Sequence, residues 1–457
     1  MIPSILAQIL GLAGITYFGL LIVNFFMPNS HFLERISSGF LVGLGIFTFV
    51  LFLTSWFLGL PFAVYPAMAI LFWLILLSVF LSVLFKRKLL PGKSPTAAVN
   101  NILTWYGSLS VLEKGVVWLV VFIFFSVLVN NLYWPIWMWD AIALYDFRAK
   151  SIVSLGRVVG SFGVSNGTYP LLTSISHGLV YLFGGTNPQY LYFLFFLSLS
   201  LIFYHFLRKF LARKYSLITL LFLITIPLLI QQSQVTLTDL PQSAYLVPGF
   251  LYMILGLASG KKSYIALSSI FFSLSSWVRN EPFWAVGFFV LLILSFKRKW
   301  FILDGLYLFV IYLVHGVWSR FITLFSPPVT QAAGQGGDST SFWGNYVNPT
   351  FWIIVGEFVF KNIIYPIWPI FLAMLILIFA RRKRLSSVTK IALFSTISTF
   401  LFFVMGASVY IISYSEWQAL YSSLQRILIF FDVLVVTSIS LLLFPHQKKT
   451  GQEQPRA

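Results

Sequence analysis

Hydrophobic residues fall along this chain in long runs, and polar residues are confined to short intervals between them. Runs bounded by charge, Pro or Gly predict helices at 3–27, 37–60, 66–85, 115–133, 190–207, 216–232, 243–259, 263–279, 283–296, 301–319, 363–380, 388–412 and 427–444. About 20 apolar helical residues cross the hydrocarbon of a bilayer, so most of these runs reach across it and the shorter ones need tilt. The pattern predicts an all-α polytopic membrane protein of about 13 transmembrane helices. The first run has no basic n-region and no small-residue cleavage site, so it reads as a retained span rather than a signal peptide. No internal repeat stands out.

Two apolar stretches do not fit as spans. Leu171 to Phe183 is short, bounded by Tyr169-Pro170 and Gly184-Gly185, and reads as a juxtamembrane or re-entrant helix along the outer interface. Thr350 to Phe360 reads as a second. The loop 320–350, with Pro327-Pro328 and the run Gln335 to Asp338, has the composition of an outer flap or an unstructured connection. The expected organisation is an N-terminal helical part at 1–114, a transmembrane catalytic part at 115–444 with outer loops 134–189 and 320–362, and a short tail at 445–457.

Basic clusters orient this layout. Lys86 to Lys88, Arg208-Lys209, Arg213-Lys214, Lys261-Lys262, Lys297 to Lys299, Arg381 to Arg384 and Lys448-Lys449 all fall on one side, which the positive-inside rule makes cytoplasmic. Of the 30 Lys and Arg, only Arg148, Lys150, Arg157, Arg279, Arg320, Lys361 and Arg426 fall outside. The expectation is a plasma-membrane protein with its N-terminus outside and its C-terminus in the cytoplasm. Composition agrees: 59% hydrophobic and 9% charged residues make lipid the solvent. The net charge of +18 lies in short clusters between spans, not on one basic face, so it does not indicate nucleic acid. The absence of Cys excludes disulfides and thiolate metal sites.

Carboxylates run the other way. Asp140, Asp146, Asp239, Glu281, Asp338, Glu357 and Glu416 are all external in this layout. Acidic residues hardly affect insertion, so either the outer loops are simply longer or that face carries a site. Trp134-Pro-Ile-Trp137-Met-Trp139-Asp140 sets a carboxylate behind three indoles at the membrane boundary, an environment that raises basicity and suits a general base. Asp146 and Lys150 are spaced to pair at i,i+4, and their simplest role is to solvate an interfacial helix. Asp239 before Pro241 serves equally as a helix N-cap or as a functional acid. Arg279-Asn280-Glu281-Pro282 sits between two apolar stretches with almost no loop, as a self-compensating pair or as part of a site. Arg320 and Arg426 lie at outer helix ends, with Asp432 a candidate partner for Arg426. His177, alone on an apolar helix, suits packing or hydrogen bonding better than metal ligation.

Together these motifs resemble the GT-C superfamily of integral membrane glycosyltransferases, which includes protein O-mannosyltransferases and lipid A aminoarabinose transferases. Asp140, followed by Tyr145, Ala149 and Gly156, is similar to the family's first-loop pattern of an Asp followed by Tyr, Ala and Gly. Tyr169-Pro170-Leu171 stands where many members carry His-Pro-Pro-Leu, without the His and one Pro. Asp239 resembles the Asp of the next outer turn, Arg279 to Pro282 a Lys-Asn-Glu-Gly motif, and Gln425-Arg426 the Asp-Arg that opens a late span. The resemblance implies that Asp140 is the catalytic base and that Arg426 and Arg279 neutralise donor phosphate. It implies that Asp239 and Glu281 orient substrate, with Arg148 and Arg320 as further donor-binding cations. No cofactor is expected; were a divalent metal used, as in oligosaccharyltransferase-type members, Asp140, Asp146 and Asp239 are the available ligands.

The implied activity is transfer of a sugar from a polyprenyl-phosphate donor to an envelope glycan, lipid or protein acceptor on the outer face, with inversion. A transporter or flippase for lipid-linked glycans and a polysaccharide polymerase or ligase are the alternatives. A transporter should carry charge through the middle of several helices, whereas here charge gathers at helix ends.

Overall fold

The computed structural model describes residues 2–85, 103–158, 169–279, 301–325, 349–361, 365–381, 385–413, 426 and 428–444. The predicted span 283–296, the centre of the 320–350 loop, the tail from 445, and Glu281, Asp338 and Glu416 lie outside the described residues. The described chain begins with α1 (Ile2–Phe26), α2 (Phe32–Phe57), α3 (Val64–Leu84) and α4 (Val111–Tyr133). A π-helical segment, Ala141–Asp146, runs into α5 (Phe147–Leu155), followed by α6 (Leu172–Leu182) and α7 (Tyr190–Arg208). Then come α8 (Arg213–Ile224), α9 (Pro227–Ser233), α10 (Asp239–Ser259) and α11 (Lys262–Val278). The last are α12 (Phe301–Phe325), α13 (Pro349–Val359), α14 (Tyr365–Arg381), α15 (Ser387–Ser413) and α16 (Ile429–Leu443).

Among the described residues there is no β-strand, and seven helices are long and apolar enough to cross a membrane: α1, α2, α3, α4, α7, α10 and α15. The chain is an all-α, multi-pass membrane protein. The predicted span 216–232 is not one straight helix. It breaks into α8 and α9, bent by 68°, and counts as an eighth span only if the pair is taken together. Pro227 opens α9 and has no N–H to continue the ladder of α8, while the Thr225 hydroxyl turns back to the Leu221 carbonyl at 2.9 Å. Among the described residues, α12, α14 and α16 contribute the shorter apolar stretches Phe309–Phe325, Phe371–Arg381 and Ile429–Leu443.

Helix α10 is the axis of the bundle: every residue of its apolar window is buried, whereas α3 and α4 bury 22% of theirs and present Phe72, Trp73, Trp118 and Phe122 outward. With lipid as the solvent, such outward apolar faces cost nothing. Helices α1 and α2 approach most closely, through Gly19, Gly39 and Gly43. A Cβ on Gly43 would sit 2.1 Å from the Ile15 carbonyl oxygen, and one on Gly19 would sit 1.9 Å from that of Gly39. Small residues four apart let backbones meet where no hydrophobic effect draws helices together.

Charged groups tie the helix ends. At one end Lys209 pairs with the buried Glu34 at 2.6 Å, and Arg213 meets Glu113 at 2.9 Å beside the Ser110–Glu113 capping box of α4. Lys209 and Arg213 both belong to clusters that the charge pattern puts on one side. Residues assigned to the opposite side meet at the other end, as described below. Leu171 to Phe183 corresponds to the expected short helix, α6. Leu172 to Val180 are all buried, so the helix is tucked into the bundle beside α2 and α5. Thr350 to Phe360 corresponds to α13.

The glycine contact yields a paired expectation. Gly43→Ala should destabilise the protein by about 1–3 kcal/mol or more, because backbone, not a flexible side chain, blocks the new methyl. Gly115→Ala in α4, where a Cβ meets nothing within 4 Å, should be neutral or stabilising by up to about 1 kcal/mol. Thermal unfolding of both variants in one detergent checks the contrast.

Candidate functional site

Four charged side chains from four separate segments converge at one end of the bundle. Asp239 is the first residue of α10, where a carboxylate is favoured by the helix dipole. Arg279 ends α11 in an extended conformation, φ −145°, which turns its side chain away from the helix axis. Its Nη1 makes a close ion pair with Oδ1 of Asp239. Arg426, just before α16, stands 3.8 Å from Oδ2 of Asp239 and 3.7 Å from Oδ2 of Asp140. Side-chain exposure rises in order along this chain, from 2% at Asp239 through 8% at Arg279 and 18% at Arg426 to 50% at Asp140. The cluster therefore opens outward at Asp140. Arg279 also lies over the ring of Tyr169, 5.7 Å from its centroid, a cation–π contact.

The approach to this cluster is shaped by the π-helical segment. After Tyr133 the chain leaves α4 through Trp134 and re-enters helix at Trp139. The Phe147 amide then bonds five residues back, to the Ile142 carbonyl, instead of four. One extra residue in the turn re-aims the side chains that follow. Tyr145 points inward, and its hydroxyl meets the Thr238 hydroxyl at 3.2 Å, next to Asp239. Burial pushes the Tyr145 phenol up, so it stays protonated and serves as a neutral hydrogen-bonding group. Arg148, buried, donates to the Tyr169 carbonyl at 3.0 Å and fixes the strip that carries the Tyr169 ring. Burial brings the Arg148 guanidinium down to about 10, so it remains charged at neutral pH. At the end of α5, Gly156 adopts φ 62°, and its carbonyl accepts from the Phe62 amide at 2.7 Å, tying this region to the segment after α2.

Several expectations need correction. Trp134, Trp137 and Trp139 are all exposed on the protein, and so is the Asp140 carboxylate they precede. Asp146 does pair with Lys150, at 2.8 Å, but it does not merely solvate a helix. It is buried, bonded by the Tyr181 hydroxyl, and faced by Nδ1 of His177 at 3.7 Å. His177 is fully buried, with Nε2 at 3.2 Å from the Tyr192 hydroxyl, so it bonds to neighbours as its apolar helix suggested. Arg426 takes Asp140 and Asp239, not Asp432, and Arg279 takes Asp239 while Glu281 is outside the described residues. Arg320 is exposed on α12 and makes none of the ion pairs of the cluster.

Asp140 and Asp239 share Arg426, whereas Asp146 is committed to Lys150, Tyr181 and His177. The three carboxylates named as metal ligands do not form one group, and no set of three or more ligating His, Asp or Glu gathers among the described residues. The Asp146–His177–Tyr181–Tyr192 network was not legible in the sequence. The one available signal was Tyr181 four residues after His177, which puts both on one face of α6.

That network should make stability depend on pH. Burial depresses the pKa of His177 below 6.5, so the unfolded chain takes a proton more readily and folded stability falls as pH drops below that value. For Asp146, burial raises the pKa but the contacts from His177, Lys150 and Tyr181 outweigh it, holding the carboxyl at about 2 against an ordinary 3.8. Its contribution is present above pH 3.8 and is lost as pH falls towards 2. Melting temperatures should therefore decline between pH 6.5 and 4 in the wild type, and His177→Gln should flatten that decline.

Comparison of the chain with protein-family models, with curated proteins and with solved structures finds no match to any of them.

Proposed function

We propose that this chain is a membrane glycosyltransferase that moves a sugar from a polyprenyl-phosphate donor to a hydroxyl of an envelope glycan, lipid or protein. The observation that carries this reading is the convergence of Asp140, Arg426, Asp239 and Arg279 at one end of an apolar helix bundle. The cluster supplies what such a transfer requires: an exposed carboxylate as base, with cations next to it for the leaving phosphate. A prenyl chain lies in the hydrocarbon and its phosphate at the boundary, so a site at the helix ends matches the donor's own geometry. The full thirteen-span layout, with this end outside the cell, belongs to the same reading.

In the reaction, Asp140 takes the proton of the acceptor hydroxyl as that oxygen bonds to the anomeric carbon. The bond from that carbon to the phosphate oxygen breaks, and polyprenyl phosphate leaves with both electrons. Attack opposite the leaving group inverts the anomeric centre. Arg426 and Arg279 face the growing negative charge on the phosphate. Asp239 holds Arg279 in place, Tyr145 braces the start of α10 through Thr238, and Arg148 supports the Tyr169 strip. Glu281 and Arg320 complete the donor-binding set in this proposal.

The test is sugar transfer by purified protein in liposomes against a panel of radiolabelled polyprenyl-phosphate sugars. Asp140→Asn keeps the side-chain shape and should lower turnover by about 10²–10⁴-fold, the usual range for losing a general base. Arg426→Ala should weaken donor binding by roughly 10-fold or more, as expected for loss of a charged hydrogen bond. Near-normal turnover in a correctly inserted Asp140→Asn protein removes the base assignment. Movement of labelled lipid-linked glycan across the bilayer without turnover would establish the transport reading instead.

A further inference from the structure

Arg426 is shared between two carboxylates that differ in their freedom to leave it. Its distances, 3.7 Å to Asp140 and 3.8 Å to Asp239, both exceed the 2.7–2.9 Å of a charge-assisted hydrogen bond. Neither of these two carboxylates is in direct hydrogen-bond contact with the guanidinium. Asp239 cannot move away, because it is buried and its other oxygen is held by Arg279. Asp140 can: its side chain is 50% exposed, and a carboxylate in that position recovers water as it leaves its partner.

We propose that Asp140 and the donor phosphate compete for Arg426, so that the donor displaces Asp140 and thereby releases the carboxylate that acts as base. This rests on the glycosyltransferase reading and adds to it an order of events. Before the donor arrives, Asp140 faces Arg426 at 3.7 Å and is not turned to an acceptor hydroxyl. An incoming phosphate diester takes over the outward side of Arg426, because the inward side stays with Asp239. Asp140 then turns to water and to the acceptor hydroxyl. Base activity is thus coupled to occupancy of the phosphate site, and donor binding precedes productive acceptor binding.

The coupling has a consequence that runs against the usual expectation for an active-site mutation. While Asp140 holds Arg426, only a fraction of the protein is ready for phosphate, and apparent affinity is reduced by that fraction. Removing the Asp140 charge should tighten lipid-phosphate binding even as it abolishes transfer. The size follows from the strength of a half-exposed ion pair, which gives a gain of about two- to fivefold.

The experiment measures saturable binding of farnesyl phosphate to the purified full-length chain in nanodiscs, so its readout does not depend on turnover. Asp140→Asn should bind about two- to fivefold more tightly than wild type. Asp140→Glu, which keeps the charge, should bind as wild type does. Glu357→Gln removes another exposed carboxylate, one paired with its own Lys361, and should leave affinity unchanged. Unchanged or weaker binding by Asp140→Asn overturns the proposal, as does equal tightening by Glu357→Gln, which would indicate a general field effect. Binding that needs Arg426 but ignores Asp140 removes this inference alone. Absence of saturable binding in the wild type removes both it and the glycosyltransferase reading.

Discussion

Asp239 and Arg279 are each expensive to bury, and their pairing offsets that cost for both. Asp239 begins a helix that is buried on every side, so its carboxylate has no route to water and must be met by a cation. Breaking such a pair by deleting one partner typically costs about 3–5 kcal/mol. The requirement fixes more than two side chains. Arg279 reaches Asp239 only because α11 ends one residue earlier and the backbone turns out of the helix. Arg426 is then drawn to the remaining oxygen of Asp239, which sets where α16 begins relative to α10. Asp140 joins last and most loosely. The polar end of the bundle is built outward from one buried charge.

The same hierarchy divides rigid parts from adaptable ones. The inward members, Asp239 and Arg279, are held by burial and by each other, and Tyr169, Tyr145 and Thr238 pack around them. The outward member follows exposed indoles on a segment whose Ile136, Met138, Ala141 and Tyr145 pack against Val235 and Leu237, while its own carboxylate stays half exposed. A site of this kind keeps its charges preorganised while leaving one group free to change partners.

Much of the architecture is legible in the sequence, since lipid leaves only the helix for a spanning backbone and demands long apolar runs. The pattern located α1 to α4, α7, α10 and α15 because each is a run of some twenty residues bounded by charge, Pro or Gly. It treated 216–232 as one run, since hydropathy does not register a break, although Pro227 marks where the ladder must fail. It also identified α6 as a short helix, but not that neighbours enclose it. An apolar segment too short to span has the same composition whether it lies on a membrane or is enclosed by neighbours, and only tertiary packing separates the two. The charged residues of the site were legible one by one as outer-face ions. Their pairing was not, because Asp239 and Arg279 lie 40 positions apart and Arg426 lies far beyond both. Nearest-in-sequence reasoning paired Arg426 with Asp432, whereas folding carries Arg426 to Asp140 and Asp239 and brings Arg279 across to Asp239.

The π-helical turn between Asp140 and Asp146 has a bearing on how this chain tolerates change in length. Its Phe147-to-Ile142 bond encloses one more residue than an ordinary helical turn. Such turns behave as single-residue insertions within a helix. Deleting one residue from 141–146 would let the helix close into regular geometry and swing everything before it by roughly a quarter turn, about 100°. Asp140 would then leave Arg426 while Asp146 kept its partners in α6. Substitutions that respect burial can be absorbed here; a change in residue count cannot, so the spacing between these two aspartates is itself a constraint on any sequence that builds this site.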